Sequence, residues 1–311
     1  MLDIVIVNWN AGPQLYECVE SVLAHDEGQV ARIIVVDNDS RDGSADLLKG
    51  LSRVQVLHAG DNLGFAAACN VGAAKCFSPY LLFLNPDTRI EAGSLQRPLT
   101  FMERSENAGV AICGIQLVDE QNAVSRTCAR FPTLRRLSAS ALGLNKLPGF
   151  RGVGMGMSNW DHESSRRVDQ VMGAFFLIRR VVFNATGGFD ERFFVYFEEV
   201  DLSRRATLAG WDSWYLADAQ AFHAGGGTSR QVKARRLFYS LRSRLLYGFK
   251  HFPTWQAWVL VALTGLVEPL TRTAWCLIRK DMTGVRNTWA AYRMLWSGMG
   301  QIVHGEGRFK A

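Results

Sequence analysis

The chain has 311 residues, 48% of them hydrophobic, with a net charge of +6 and a pI near 9.1. That length allows one large domain with an appendage, or two modest ones. The basic balance points to acidic partners (phosphates, nucleic acid or an anionic membrane face) or simply to a soluble basic protein.

Six cysteines occur, none in C-x-x-C spacing and most among apolar or small residues; they read as reduced, mostly buried thiols of a cytosolic protein. No signal peptide is expected, because the first apolar run, "IVIV", is short and lacks a basic flank.

From the N-terminus, strand and helix patterns alternate. "DIVIV" (Asp3–Val7) has the pattern of a buried strand, and Gly12-Pro13 opens a helix with Leu15, Val19, Val22 and Leu23 on one face. "RIIVVD" (Arg32–Asp37) predicts a second strand and "DGSADLLKGL" a helix starting at Asp42 or Ser44. "VQVL" (Val54–Leu57) predicts a third strand, "GFAAACNVGAAKC" an Ala-rich helix and "YLLFL" (Tyr80–Leu84) a fourth strand. Fully apolar strands alternating with helices predict an α/β fold: a mostly parallel sheet covered on both faces, with ligands bound beyond the C-terminal strand ends.

Those strand ends are polar. Asn8 and Asn10 follow the first, Asp37, Asn38 and Asp39 the second, Asn62 the third, and Asn85 and Asp87 the fourth. Asn and Asp favour turns anyway, but four successive ends on one rim point to a shared pocket. Further strands are expected at 109–117 and 171–178, with an irregular Gly- and Arg-rich loop over 130–161 between them.

Glu198, Glu199 and Asp201 place three acids within four residues at an expected helix start, behind an aromatic run. The helix dipole favours acids there, so capping is one reading. Crowded acids also raise one another's pKa, which suits a general base. "FHAGGGTS" (222–229) can bring backbone to a phosphate or an imidazole to a metal.

After about residue 230 the character changes. Arg230–Lys250 reads as a basic helix, followed by an uncharged stretch over 252–267 and the segment "RNTWAAYRMLWSGMG". The uncharged stretch spans 16 residues before Glu268-Pro269, short of the roughly 20 a bilayer span needs. Insertion of the 252–278 segment, surface contact and burial all remain open at this point.

The ordered set "VIVNWN", "VVDNDSRDGS", "NLGFAAACNVG", "LLFLNPDT", "GGFDERFFVYFEEVDLSRRATLAGW" and "FHAGGGTS" resembles family 2 glycosyltransferases of the GT-A fold, in the branch of bacterial rhamnosyltransferases. The resemblance covers about residues 1–230, leaving 231–311 as a basic, Trp-rich helical region. It implies that Val7, Asn8, Asp37 and Asn38 line a nucleotide pocket, and that Asn62, Gly64, Phe65 and Asn70 lie beside the nucleotide and sugar. Asn85-Pro86-Asp87 stands where the family has D-x-D. Asp87 and His223 are then the implied metal ligands, for Mg²⁺ or Mn²⁺, with Asn85 beside the donor. Glu199 matches the catalytic base, flanked by Glu198 and Asp201, and Tyr239 and Arg242 are candidates to reach the donor's diphosphate.

The implied partners are a nucleoside diphosphate sugar, a lipid-linked saccharide acceptor and an anionic membrane contacted peripherally from the cytoplasmic side, with no nucleic acid. A dTDP-rhamnose donor is the first expectation and a UDP-hexose the second. A sugar-phosphate nucleotidyltransferase would want a basic Gly-rich loop after the first strand, and "VNWNAGPQ" has no Lys or Arg. A non-catalytic nucleotide-sugar-binding protein would keep Asp37 and have no need of the acidic cluster.

Overall fold

The computed structural model describes residues 1–147, 149–157, 159–225 and 233–305. The first half runs β1 (Leu2–Asn8), α1 (Pro13–Ala24), β2 (Val30–Asp37), β3 (Val54–His58), α2 (Phe65–Ala73), β4 (Tyr80–Leu84), β5 (Thr88–Ile90), α3 (Gln96–Glu103), β6 (Val110–Val118), β7 (Val124–Ser125) and α4 (Leu134–Ala141). The second half runs β8 (Arg166–Val168), β9 (Phe175–Arg179), α5 (Arg180–Ala185), α6 (Glu198–Leu208), β10 (Asp212–His223), α7 (Lys233–His251), α8 (Thr254–Ala262), α9 (Glu268–Ile278), α10 (Met282–Ser297) and α11 (Met299–His304).

All the strands join one sheet, ordered β3-β2-β1-β4-β9-β6-β10-β5, with β7 beside β6 and β8 beside β10. The expected parallel arrangement holds for β3, β2, β1 and β4 and recurs between β6 and β10. β9 enters antiparallel between β4 and β6, and β5 and β8 pair antiparallel with β10, so the second half of the sheet is mixed.

Alternating side chains divide the core, as a period of two requires. Ile4, Ile6, Ile33, Val35 and Leu82 face one side with α1 residues Leu15 and Val19. Val5, Val7, Ile34, Val36 and Phe83 face the other with Ala66 and Cys69 of α2 and Leu202 of α6. A β-carbon on Gly72 would lie 2.5 Å from Val5 Cγ1, so α2 sits closer to β1 than any side chain there would allow.

Three local expectations are corrected. Ser44–Leu48 is a 3₁₀ turn rather than an α-helix, because Gly43 enters it left-handed and Lys49 leaves it extended. The strand expected at 171–178 begins only at Phe175, since the chain turns at Gly173–Ala174. The 130–161 stretch contains α4, whose N-cap Thr133 accepts from Arg136 N.

The change of character near residue 230, and Gly226 to Ser229 of "FHAGGGTS", lie outside the described residues. From Lys233 onward, the helices share a hydrophobic cluster with the rest of the chain. Phe238, Leu241, Leu245, Leu260, Tyr292 and Leu295 pack with Phe131, Leu137, Phe193, Phe197 and Val200. All five cysteines of the first half and centre are buried, and Cys276 is half-buried; all six are free thiols.

Candidate active site

The parallel ladder brings the first polar ends together. Register places Asn8 opposite Asp37 and Asp37 opposite His58. Asn8 is fully buried, and its Nδ2 donates to Asp37 Oδ1 at 2.9 Å and to the hydroxyls of Ser40 and Ser44 at 3.0 and 2.8 Å. His58 Nδ1 lies 3.3 Å from the other Asp37 oxygen. Asn38 accepts from Leu63 N at 2.9 Å and donates to Asn62 Oδ1 at 3.0 Å, which in turn accepts from Gly64 N. One connected network therefore fixes β1, β2 and the 62–64 turn. Ser40, Ser44 and His58 belong to it without having been read from the sequence as site residues; for His58, its place at the third strand end was the available signal.

Gly64 opens α2 at φ 82°, and a β-carbon there would lie 2.5 Å from the Phe194 carbonyl oxygen. That carbonyl accepts from Phe65 N at 2.6 Å, joining the turn to the segment before α6. Phe194 stacks on Tyr239 of α7 with ring centroids 4.8 Å apart.

At the end of β4, Asn85-Pro86-Asp87-Thr88 forms a turn closed by Thr88 N donating to Asn85 O at 3.1 Å, with proline at its favoured second position. The β5–β10 register sets His223 opposite Thr88. His223 Nε2 then lies 3.3 Å from Asp87 Oδ1, with both side chains about nine-tenths buried, and Ala224 N donates to Asp87 O. Among the described residues no group of three or more His, Cys, Asp or Glu side chains converges on one point. The protein thus offers a carboxylate and an imidazole. This pair fits a divalent cation whose other ligands come from elsewhere.

Ala174, just before β9, connects this turn to the acidic cluster: its carbonyl accepts from Asn85 N at 3.0 Å. The neighbouring Gly173 lies against Glu199, whose Cβ would be 4.0 Å from a β-carbon built there. Glu198 and Glu199 begin α6 directly after Tyr196 and Phe197, which are both left-handed at φ 69° and 70°. For bulky residues that conformation costs on the order of 1–3 kcal/mol each. One oxygen of each glutamate is buried with no hydrogen-bond partner. Burial pushes both carboxyls above the usual range, and the charge of Glu199 pushes Glu198 further. The two carboxyls titrate as one coupled pair, which holds a proton above the usual carboxylate range because burial disfavours two adjacent charges.

Asp201 sits differently. It is fully buried, yet Oδ2 accepts from Arg205, and Oδ1 lies 2.7 Å from both Lys250 Nζ and His251 Nε2. Burial alone would raise its pKa; the His251 hydrogen bond and the Arg205 and Lys250 charges outweigh it and hold the carboxyl below the usual range. Lys250 also pairs with Asp190 at 2.7 Å. The structure places Asp201 as a tie between α6 and α7, whereas Glu198 and Glu199 each keep one oxygen without a partner.

Asn70 likewise grips protein: its side chain donates to Phe189 O at 2.8 Å and accepts from Phe189 N at 3.0 Å. Arg242 is buried and donates to Arg192 O at 2.7 Å.

A family model, glycosyl transferase family 2, matches residues 3–187. An N-acetylglucosaminyl-diphospho-decaprenol L-rhamnosyltransferase of Mycobacterium tuberculosis is 28% identical over 278 residues, covering 85% of this chain and 90% of that protein. The rhamnosyltransferase WbbL of Escherichia coli is 27% identical over 256 residues, covering 79% and 92%. Among solved structures, the Pyrobaculum calidifontis mannosyltransferase PcManGT in complex with GDP-Man and Mn²⁺ superposes with a TM-score of 0.55 at 12% identity, covering 98% of this chain and 88% of that one. With the strand-end pocket and the acidic cluster placed on a GT-A architecture, the chain belongs to glycosyl transferase family 2 and is a glycosyltransferase.

Proposed function

We propose that the protein transfers a sugar, with inversion, from a nucleoside diphosphate sugar to a hydroxyl of a lipid-linked saccharide in cell-envelope polysaccharide assembly. The proposed donor is dTDP-rhamnose; the two rhamnosyltransferase relatives support that choice over a UDP-hexose. The acceptor class rests on the mycobacterial relative, whose name carries a diphospho-decaprenol. Such an acceptor would place the enzyme on the cytoplasmic face of the cell membrane.

The observation that carries the reading is the adjacent pair Glu198 (buried) and Glu199 (half-buried), each keeping one buried oxygen without a partner, with Gly173–Ala174 between them and the Asp87 turn. In this reading the Asn8–Asp37–His58 network receives the nucleoside. Asp87 and His223 would hold a divalent cation, Mn²⁺ or Mg²⁺. When bound, such a cation supplies positive charge against the leaving diphosphate. Glu199 accepts the acceptor's hydroxyl proton while that oxygen attacks the anomeric carbon from the face opposite the diphosphate. Glu198 stays protonated, so the site holds one negative carboxylate rather than two. A single base suffices because the diphosphate leaves without needing a proton, unlike the leaving group in glycoside hydrolysis.

The test is a donor panel (dTDP-rhamnose, UDP-glucose, UDP-N-acetylglucosamine, GDP-mannose) scored by binding and slow hydrolysis with Mg²⁺ or Mn²⁺. Selective binding of dTDP-rhamnose supports the proposed donor. A UDP-hexose preference replaces the donor and leaves the chemistry, and no binding of any donor overturns the reading.

A further inference from the structure

Residues 254–278 form one continuous helical path: α8, a π-helical turn at Leu263–Val267, and α9. Its inner side is buried through Ala257, Leu260, Thr264, Gly265 and Pro269. Its outer side carries Trp255, Trp258, Leu266, Leu270, Leu277 and Ile278, between 48% and 75% exposed. These positions recur at helical spacing and form a stripe about 35 Å long at 1.5 Å per residue. The helix contributes one acid, Glu268, which is buried and held by Arg244 and Arg272, so the stripe itself carries no negative charge.

A second segment reaches the same place. Thr271 Oγ1 donates to Ala141 O at 2.7 Å, fixing the end of α4 against α9. The residues that follow expose Leu142, Leu147 and Phe150, each at 44–50%. Two stretches more than a hundred residues apart, joined at Ala141–Thr271, thus leave apolar side chains uncovered. Exposed Arg279 and Lys280 follow the stripe directly at the end of α9, exposed Asp281 next to them caps α10 through Gly284 N, and exposed Arg286 and Arg293 lie on α10, which packs on α9. Among the described residues no helix is long and apolar enough to cross a membrane. Apolar side chains with indoles along one side of a helix and cations at the margin match a helix lying in the plane of an anionic bilayer surface.

We propose that this face is the enzyme's seat on an anionic lipid leaflet, with the 254–278 helix lying in the interface and Leu142, Leu147 and Phe150 as a second anchor. The proposal rests on the reading that the acceptor hydroxyl is carried on a lipid. It goes further by naming the surface and by predicting that two separate segments bind together.

The test is flotation of the full chain with vesicles of 30% phosphatidylglycerol in phosphatidylcholine, and with phosphatidylcholine alone. Wild type is expected to float with the anionic vesicles and less with the neutral ones. The double variant Leu266→Glu/Leu270→Glu should lower binding at least about tenfold, and Phe150→Glu several-fold, because each puts a charge into the proposed contact. Donor hydrolysis and circular dichroism melts, read on the same samples, should not change. Wild type that fails to float, or variants that bind as wild type does, overturn the proposal. So does a concentration-dependent dimer, seen by sedimentation velocity, that the same substitutions dissolve, since a second copy would then cover the face. Flotation without hydrolysis of any donor refutes the transfer reading alone, and hydrolysis without flotation refutes the membrane face alone.

Discussion

The proposed donor side and the proposed acceptor side of the site are built on opposite principles. On the donor side Asn8 is satisfied by Asp37, Ser40 and Ser44, and Asn38 and Asn62 satisfy each other and their turn, so the pocket is fixed by hydrogen bonds before any ligand arrives. On the acceptor side two glutamates have oxygens with no partner and follow two left-handed aromatic residues. A recognition surface benefits from having its geometry settled in advance; a proton acceptor must keep a lone pair available, and that leaves local structure to be stabilised from elsewhere. Here that support is the charged knot of Asp190, Asp201, Arg205, Lys250 and His251 directly behind α6.

The contrast can be broken most sharply at Glu199. Glu199→Gln should keep donor binding, measured by calorimetry, and lower transfer by about 10²–10⁴-fold. Near-normal transfer would falsify its role as the base. Asp201→Asn should act on stability instead, removing about 3 kcal/mol in urea unfolding because the half-buried Arg205 and Lys250 lose a fully buried counter-charge.

The Asp87 turn supplies the next test. Asp87→Ala should lower metal-dependent donor hydrolysis at least about tenfold more than Asn85→Ala, since a neutral amide attracts a cation less than a carboxylate does. Equal losses would reassign Asp87.

The smallest effect belongs to Glu198→Gln, which mimics the protonated carboxyl and should leave transfer within a few-fold of wild type. Its signature is in stability against pH. The Glu198 pKa is raised on folding above its ordinary value of 4.5, so its contribution is complete below that pH and is lost as pH rises through the folded value. Glutamine cannot ionise, so the variant should match wild type near pH 4 and exceed it in urea midpoint at pH 8. Equal midpoints at both values would mean that Glu198 is not held protonated.

The sequence made the first half legible because each strand was a short apolar run ending in Asn or Asp, and parallel pairing aligns such ends on one rim. Asn70 and Asp201 were harder to read. Asn70 clasps Phe189 across 119 residues, and Asp201 meets Lys250 and His251 about 50 residues on. Neither partner is adjacent in sequence, so the family resemblance placed Asn70 beside the donor and the local run of acids grouped Asp201 with the base. The α4 helix was readable from Thr133 as an N-cap ahead of Leu134 and Leu137, but the surrounding glycines and arginines masked it. The left-handed pair at 196–197 had no signal at all, because Tyr and Phe carry no local preference for that conformation.

The tie from Asp201 to Lys250 and His251 also bears on how the protein can be taken apart. The helices after residue 233 differ from the rest in surface chemistry, yet Lys250 neutralises Asp201 behind α6, His251 lies within hydrogen-bond distance of the same carboxylate oxygen, and their apolar side chains complete the packing. Exchanging them for the tail of another transferase would therefore not be a neutral graft. A chimera joined near residue 230 should need the equivalents of Lys250 and His251 carried with the donor half, or α6 would be left anchored to a missing counter-charge.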